Sequence, residues 1–316
     1  MIRTLPYLLL LLLASACQFQ KSVPEISSMD ELEYPYPTSK AQLSDGIEIA
    51  YMDQGQGEKT LLMVHGLGSY GPAWKQNMAA LSQKNRCIAI DLPGYGKSSK
   101  GRYEGGMRFF ADVVKEFVDG MGLENVVLMG HSMGGQIALT ASLAYPETFQ
   151  ELVLVSPAGF ETFHPGQRKW FGEVITARGV YLTPVDQIKA NIGWNFYKMP
   201  KEAEFMVTDR IAMRKCKEFE GYCYIIPVCV QGMVDDPVFD HLKDVQARTL
   251  VVFGAQDNLI PNRFLNPGTT KKIAEQGAEQ MPNATLELVN KAGHFVHFEK
   301  ADVVNGYIMD FLSAGK

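Results

Sequence analysis

The sequence predicts an α/β protein with a doubly wound, mostly parallel sheet and an inserted, mainly helical cap. Short apolar runs alternate along the chain with segments of helical periodicity, which is typical of parallel βαβ units. One run, Val126–Met129, passes through a glycine-rich turn directly into the helical segment Gln136–Tyr145. The alternation stops over residues 160–243 and then resumes, as an insertion between core strands would cause.

The first 16 residues, MIRTLPYLLLLLLASA, have the three parts of an export signal. Arg3 gives a positive start, Leu8–Leu13 an apolar middle, and Ala14–Ala16 a small-residue cleavage site. The apolar run is shorter than the roughly 20 residues that span a bilayer. Cys17 follows at once, and LASAC resembles the lipobox of bacterial lipoproteins, in which this cysteine becomes the lipid-modified N terminus.

That resemblance implies a lipid-anchored protein of the bacterial cell envelope, attached to the membrane through Cys17. Gln18 after the cysteine resembles the signal for sorting to the outer membrane. The alternative is an ordinary secretory signal with an incidental cysteine, which would give a secreted or periplasmic protein.

Residues 17–42 are predicted to form an extended tether. They are polar, contain Pro24, Pro35 and Pro37, and show no sustained periodicity. The predicted domain then has a first core part at 43–159, the cap at 160–243 and a second core part at 244–316. Hydrophobic content of 46% and charge of 21% are ordinary for a globular domain. The net charge of −5, without a basic stripe, argues against nucleic-acid binding.

Four cysteines remain besides Cys17, namely Cys87, Cys216, Cys223 and Cys229. In an exported protein they could form disulfides, Cys216 with Cys223 among them, and the sequence does not choose among the pairings. No C-x-x-C motif occurs, so neither a metal site nor a thioredoxin-like site is predicted. No cofactor is expected.

Apolar runs bounded by turn residues predict the core strands. Gly46–Asp53 alternates apolar and polar residues, and Gly55–Gly57 after it favours a hairpin-type turn. Thr60–His65 is a continuous apolar run, which is typical of a strand buried on both faces. The later predicted strands are Cys87–Asp91, Val126–Gly130, Leu152–Val155, Thr249–Gly254 and Ala284–Val289.

Helical spacing of apolar residues predicts the core helices. Met107–Met121 has this spacing with Gly122 as a C-cap, and Asp302–Leu312 is predicted as a closing amphipathic helix. Residues 160–243 contain no obvious buried strand and are rich in aromatic residues. We expect most of these to form the core of the cap and some to line an apolar pocket against the sheet. They include Phe160, Phe163, Trp170, Phe171, Trp194, Phe196 and Tyr197.

The segment Gly130–Gly134 has the pattern G-x-S-x-G between a predicted strand and a helix. In that context the pattern indicates a serine nucleophile on a tight, strained turn, where flanking glycines avoid collisions. A serine hydroxyl needs an adjacent base, and a histidine has a pKa near working pH. The histidine in turn needs a carboxylate to fix its tautomer. Ser132, Asp257 and His294 each follow a predicted strand, at the sheet edge where such folds place their sites.

Five motifs together resemble the α/β-hydrolase fold superfamily, over about residues 43–316. They are HG at 65–66, DLPGYGKS at 91–98, GHSMGG at 130–135, GAQD at 254–257 and AGH at 292–294. The resemblance implies Ser132 as nucleophile, Asp257 as orienting acid and His294 as base, in the order that this superfamily uses. It also implies an oxyanion hole from the backbone N–H groups of Leu67 and Met133, with His65 and Gly66 shaping the loop.

Other residues could fill some of these roles. His131 adjoins the nucleophile but is expected to pack toward the sheet, and His297 is a rival base three residues after His294. Asp257 could instead cap its own loop. Asp235 and Asp236 are expected to be solvated turn residues.

The loop after Thr60–His65 also imitates a dinucleotide-binding fingerprint. Gly66, Gly68 and Gly71 satisfy G-x-G-x-x-G, and Asp91 ends the next strand about 20 residues on. Two features argue against that interpretation. The strand before the loop is not the first of the sheet, and His65 occupies a position that is usually small.

The function predicted from these residues is hydrolysis of carboxylic esters with apolar acyl groups, through an acyl-enzyme intermediate. A carbon–carbon bond hydrolase of ring-cleavage products on the same triad is the alternative, although the loop from Gly66 to Tyr70 resembles that of ester hydrolases. A third hypothesis is a non-catalytic binding lipoprotein. Ser132 argues against relatives that use an aspartate nucleophile.

Overall fold

A computed structural model describes residues 23–314 of the chain. Eight strands form one sheet in the order β1-β2-β4-β3-β5-β6-β7-β8. β1 and β2 run antiparallel to their neighbours, and all other pairs are parallel. The strands are β1 Thr38–Gln42, β2 Glu48–Gln54, β3 Thr60–Val64, β4 Arg86–Ile90, β5 Val126–His131, β6 Glu151–Val155, β7 Arg248–Gly254 and β8 Ala284–Val289. The predicted fold class is confirmed.

Helices cover both faces of this sheet. They are α1 Lys75–Leu81, α2 Met107–Gly120, α3 Met133–Ala144, α4 Pro165–Val174, α5 Ala177–Leu182, α6 Val185–Gly193, α7 Glu204–Ala212, α8 Phe219–Asp235, α9 Thr270–Gln280, α10 Val296–Glu299 and α11 Ala301–Ser313. Helices α4–α8 lie between β6 and β7, in the region predicted as the cap. Helix α9 was not predicted, because its sequence TKKIAEQGAEQ is largely polar and buries only small side chains and Thr270.

The packing of β3 explains why its sequence is apolar at every position from Leu61 to Val64. Leu62 and Val64 point into the cluster formed with α2, α3 and α8. Leu61 and Met63 point into the opposite cluster, formed with α1 and α11. All are buried, and each such side chain stabilises the fold by about 1.5–3 kcal/mol relative to exposure.

The hairpin-type turn predicted at Gly55–Gly57 is wrong, because β4 lies between β2 and β3 in the sheet. The two glycines serve close packing instead. A Cβ at Gly55 would lie 2.2 Å from the Ser82 carbonyl oxygen, and one at Gly57 would lie 2.3 Å from that of Lys84. The connection therefore passes directly against the loop before β4.

The tether prediction is wrong for residues 23–42, which pack on the domain. β1 is an edge strand paired with β2, and Met29 and Leu32 are buried in the main core. Ser28 Oγ donates a hydrogen bond of 2.7 Å to Glu218 Oε1 in the cap. These contacts are long-range, so the absence of local periodicity gave no sign of them. The predicted signal at 1–16, Cys17 and the rest of the tether up to residue 22 lie outside the described residues.

The remaining cysteines are buried free thiols in this structure. Burial raises the pKa of Cys87 and of Cys229 to about 12, which keeps both thiols protonated and unreactive. Within residues 23–314 no helix has the length and apolar content needed to cross a bilayer. The same residues contain no group of three His, Cys, Asp or Glu side chains that could hold a metal ion.

Candidate active site

Ser132 lies on a sharp turn between β5 and α3. Its φ of 53° and ψ of −117° fall in a region that residues with a Cβ rarely adopt. The flanking glycines explain how the turn fits. A Cβ at Gly130 would lie 2.1 Å from the Gly134 oxygen, and one at Gly134 would lie 2.4 Å from the Val64 oxygen. The Ser132 N–H donates to the Val155 carbonyl at 3.0 Å, which holds the turn against β6.

Asp257 and His294, which follow β7 and β8, form a buried pair. His294 Nδ1 lies 2.7 Å from Asp257 Oδ2. The other carboxylate oxygen accepts backbone N–H groups from Leu259 at 2.8 Å and Ile260 at 3.1 Å. These bonds fix the carboxylate, and the carboxylate holds a proton on His294 Nδ1. Nε2 of the same ring is then left with its lone pair to accept a proton.

The turn at Ser132 and the loop at His294 are adjacent. His131 Nε2 lies 3.1 Å from the His294 carbonyl oxygen, and the two imidazole centroids are 4.8 Å apart. Ser132 is partly exposed, as access by a substrate requires. Among the hydrogen bonds of residues 23–314, none joins Ser132 Oγ to His294 Nε2. Such catalytic hydrogen bonds are often long in the unliganded state and tighten when substrate binds.

The loop after β3 passes directly beside the serine. A Cβ at Gly66 would lie 3.0 Å from the Ser132 Cβ, so only glycine fits there. His65 fixes the loop, because its Nδ1 bonds the Gly66 oxygen at 2.8 Å and its Nε2 accepts the Leu92 N–H at 3.0 Å. Burial lowers the pKa of His65, which favours the neutral ring that can accept this N–H.

The two amides expected to form an oxyanion hole are available. No backbone oxygen in the described part of the chain accepts the N–H of Leu67 or of Met133. Leu67 follows Gly66 in the loop beside the serine, and Met133 is the first residue of α3. An unpaired N–H at a helix N terminus suits an anionic oxygen.

The rival bases have different surroundings. Both nitrogens of His297 are buried without a hydrogen-bond partner among the described residues, and burial lowers the pKa of its ring to about 3. The centroid of the His297 ring lies 4.4 Å from that of Trp74 and 4.5 Å from that of His131, so His297 packs as an aromatic side chain does. Among the described residues, the carboxylate of Asp257 bonds the ring of His294 and not that of His131 or His297.

Both carboxylate oxygens of the buried Asp91 accept internal hydrogen bonds, which argues against the dinucleotide interpretation. Its Oδ1 accepts the Gly71 N–H at 2.7 Å, and its Oδ2 accepts the Tyr34 hydroxyl at 2.5 Å and the Lys97 N–H at 2.8 Å. The buried carboxylate thus joins the loop after β3, the loop after β4 and the N-terminal segment. Both of its oxygens therefore serve contacts within the protein rather than a ribose.

Comparison with known proteins identifies the fold that carries these residues. A family model described as the alpha/beta hydrolase fold matches residues 59–182. The structure of a probable hydrolytic enzyme from Pseudomonas aeruginosa PAO1 superimposes with a TM-score of 0.82 at 23% identity, covering 92% of this chain and 99% of that one. The chain therefore has the α/β-hydrolase fold. An esterase from Exiguobacterium antarcticum superimposes with a TM-score of 0.72 at 21% identity, covering 88% and 100% of the two chains.

Two curated bacterial relatives are each 28% identical to this α/β-hydrolase-fold chain. The dihydrolipoyllysine-residue acetyltransferase component of an acetoin cleaving system from Cupriavidus necator aligns over 274 residues, 85% of this chain and 67% of that protein. The 2-hydroxy-6-oxononadienedioate/2-hydroxy-6-oxononatrienedioate hydrolase 1 of Pseudomonas putida aligns over 291 residues, 87% and 97% of the two. The family model and the similarity to the Pseudomonas putida hydrolase support a hydrolase as the coarse class.

A cavity of about 310 Å³ lies between the loop after β3 and the cap. Its lining is chiefly aliphatic rather than aromatic. The aromatic cap residues named from the sequence do not line it, although Tyr222 of α8 does. The lining includes Leu67, Tyr70, Ile188, Met206, Ile226 and Phe295.

Arg210 of α7 is a charged member of this lining that sequence reasoning missed. Its Nη1 is buried without a hydrogen-bond partner, and no carboxylate within residues 23–314 forms an ion pair with it. The guanidinium lies over the rings of Phe219 and Tyr222, 5.0 and 4.9 Å from their centroids. A cation with an unused donor in a largely apolar pocket favours an anionic group in the ligand.

Asp209, the residue before Arg210, connects the cap to the loop after β3, which lies beside Ser132. The Tyr70 hydroxyl donates a hydrogen bond to Asp209 Oδ2. Burial raises the pKa of Asp209 from its usual 3.8 to about 6, since the charged form loses solvation there. The contact between cap and loop therefore contains a group that titrates in the weakly acid range.

Asp209→Asn is expected to raise the melting temperature at pH 8 and to have little effect below pH 4. Because the folded-state pKa lies above the usual value, the stabilising contribution of Asp209 is complete below about pH 4. It is lost as pH rises through about 6, where the buried carboxylate ionises. Asparagine keeps an acceptor for the Tyr70 hydroxyl and cannot ionise.

Thermal unfolding from pH 4 to pH 8 tests this expectation. Asp186→Asn on α6 is the matched control, because the Asp186 side chain is 98% exposed. The control should follow the wild-type profile. Parallel profiles for wild type and Asp209→Asn would contradict the assignment.

Proposed function

We propose that the protein is a serine hydrolase that cleaves carboxylic esters with apolar acyl groups, using Ser132, His294 and Asp257 as its triad. The observation that carries this proposal is the 2.7 Å contact between His294 Nδ1 and Asp257 Oδ2, adjacent to a serine in a strained turn. The carboxylate fixes the tautomer in which Nε2 accepts the serine proton.

The chemistry follows from these positions. Ser132 Oγ attacks the ester carbonyl while His294 Nε2 takes its proton, and Asp257 stabilises the imidazolium that forms. The N–H groups of Leu67 and Met133 bind the tetrahedral oxyanion, and removing such a donor costs about 3–4 kcal/mol. His294 then protonates the leaving alcohol. Water, deprotonated by the same nitrogen, hydrolyses the acyl-enzyme and releases the acid.

The lining of the cavity supports the proposal that it binds an apolar acyl group of the substrate. Binding of an acyl chain against the aliphatic lining is stabilised by roughly 25 cal/mol for each Å² of apolar surface removed from water. Its volume of about 310 Å³ is at the low end of small-molecule sites. Acyl chains of short to medium length are therefore the expected substrates.

A second candidate, a carbon–carbon bond hydrolase, is favoured by one observation. Arg210 Nη2 donates to the Val180 oxygen at 3.4 Å, but its partnerless Nη1 could bind a carboxylate of the substrate. The Pseudomonas putida relative is named for the hydrolysis of a dioate, which has two carboxylates. The same triad would serve both reactions. The two candidates differ in whether the pocket requires an anionic substrate.

A substrate panel with Arg210→Met distinguishes the two candidates. It comprises p-nitrophenyl esters of increasing chain length, an ester carrying a terminal carboxylate, and a 2-hydroxy-6-oxo dienoate. An ester hydrolase should turn over the neutral esters, and Arg210→Met should change those rates by only a few fold. Turnover of the carboxylate-bearing ester should fall about 10- to 150-fold, since hydrogen bonds to charged groups contribute about 1.5–3 kcal/mol.

Arg178→Met is the control, because Arg178 is exposed on α5 and does not line the cavity. It should leave all three rates unchanged. Faster turnover of the dienoate than of every ester, lost in Arg210→Met, would overturn the ester assignment in favour of the second candidate.

We also propose that the protein works at the bacterial cell envelope, with Cys17 as its lipid-modified residue. The lipobox-like LASAC sequence supports this placement. Mass spectrometry of the mature N terminus tests it. An acylated Cys17 is expected, and an unmodified one would indicate a secreted or periplasmic protein.

A further inference from the structure

Exposed apolar side chains concentrate on one part of the cap. Of the large hydrophobic side chains that are exposed in residues 23–314, most lie between α4 and the segment after α6. They are Trp170, Val174, Tyr181, Leu182, Trp194 and Tyr197. Single exposed apolar residues need no explanation, whereas a concentration of them marks an interaction surface.

Three of these residues are next to cavity-lining residues in the chain. Val180 and Thr183 line it, and the two residues between them, Tyr181 and Leu182, are 46% and 57% exposed. Ile192 and Asn195 also line it, and Trp194 between them is 55% exposed. Tyr181, Leu182 and Trp194 are here called the apolar rim.

The composition of the rim suits a membrane surface. Tryptophan and tyrosine have an apolar body with a polar tip and are enriched where lipid meets water. Exposed Arg178 and Lys198 flank the rim on either side in the chain. Cations at such positions are attracted to anionic phospholipid headgroups.

The N-terminal segment brings the predicted anchor to the same part of the molecule. Val23, the first described residue, packs on Ile188, Val207 and Ile211 of the cap, and Ile188 also lines the cavity. The Lys217 N–H donates to the Ser27 oxygen at 3.1 Å, which ties the following residues to the cap as well. Cys17 is six residues before Val23, so the length of the chain limits the distance between their Cα atoms to about 20 Å.

We propose that the apolar rim docks on a phospholipid bilayer, so that the cavity opens into the lipid and the substrate is an ester drawn from the membrane. The proposal rests on the proposed function, whose substrate class it narrows to membrane-partitioning esters with acyl chains of short to medium length. A single bilayer surface would then bind both the exposed apolar rim and the predicted lipid anchor. The rim also replaces water at the cavity mouth with lipid, which eases entry of an acyl chain.

Tryptophan fluorescence of the full-length protein tests the docking directly. The chain has three tryptophans, and Trp74 is fully buried, so Trp170 and Trp194 are the exposed reporters. Phosphatidylethanolamine–phosphatidylglycerol vesicles containing lipids brominated in the acyl chain should quench the wild type. Trp194→Phe, which keeps the rim apolar, should remove the largest share of the quenching.

Turnover of Leu182→Gln tests the consequence for substrate. Against wild type, we expect at least a tenfold loss on an ester embedded in the vesicles and a change below twofold on a soluble short-chain ester. Met309→Gln is the matched control, because Met309 is an exposed apolar residue on α11, outside the cap. It should change neither rate.

Several outcomes would overturn the docking proposal. They are equal losses on both esters in Leu182→Gln, equal quenching in wild type and Trp194→Phe, or a changed oligomeric state in Leu182→Gln with quenching intact. The last result would assign the rim to a second copy of the chain. If wild type hydrolyses neither ester while Trp194 is still quenched, docking is supported and the ester function fails.

Discussion

Ser132→Ala is expected to abolish ester turnover, with a loss in kcat on the order of 10⁶-fold. Alanine removes the hydroxyl that would form the acyl-enzyme and leaves the Cβ that the turn already accommodates. The strain at φ 53° is therefore unchanged, and so are the oxyanion amides of Leu67 and Met133. The loss should appear in kcat on p-nitrophenyl esters, while the melting temperature stays close to that of the wild type.

Ser156→Ala is the matched control for this prediction. Ser156 also has a positive φ, 41°, and directly follows β6, the strand beside β5. Its hydroxyl is buried without a partner among the described residues, and it has no part in the proposed chemistry. The control should retain activity within a few fold. Comparable activity in Ser132→Ala and wild type would show that another residue is the nucleophile.

Strands β2 to β8 were predictable because their signal is local, whereas β1 lay in the predicted tether. β8 has the predicted bounds, Ala284–Val289, and β4 begins and ends one residue before the predicted Cys87–Asp91. Strands buried on both faces need apolar residues at every position, and turn residues mark their ends. Pairing between strands has no such signal, so the position of β4 between β2 and β3 came only from the structure.

The N-terminal segment and Arg210 were missed for a related reason. Met29 and Leu32 are isolated apolar residues among polar ones, and their burial depends on a cap almost 200 residues further along the chain. Asp209 and Arg210 are adjacent in a helix, where charged neighbours are usually solvated. Tertiary packing instead directs Asp209 to Tyr70 and Arg210 to the cavity.

The proposed triad could be named from sequence because parallel strands end at one edge of the sheet. Ser132, Asp257 and His294 follow β5, β7 and β8, so their separation in the chain does not matter. The AGH motif at 292–294 already favours His294 over His297 in the sequence, although both follow the same strand. The 2.7 Å contact with Asp257 supports His294, and the catalytic role of this pair stays a proposal that mutation can test.

Asp257→Asn tests whether Asp257 acts by fixing the tautomer of His294. The expected loss in kcat is about 10⁴-fold. Asp257 Oδ1 accepts two backbone N–H groups, from Leu259 and Ile260, so the oxygen of asparagine must occupy that side. Its NH₂ group then faces His294 Nδ1, which must accept rather than donate. The ring proton moves to Nε2, where it faces Ser132 and blocks transfer of the serine proton.

Non-additivity separates this explanation from a general loss of structure. If Asp257 acts only through His294 on Ser132, then Asp257→Asn should reduce the activity of wild type strongly and that of Ser132→Ala no further. Thermal unfolding should show both single variants folded, because asparagine keeps the two backbone contacts. A loss below tenfold in Asp257→Asn would mean that His294 holds its catalytic tautomer without the carboxylate. Asp257 would then cap its loop, as its contacts with Leu259 and Ile260 already do.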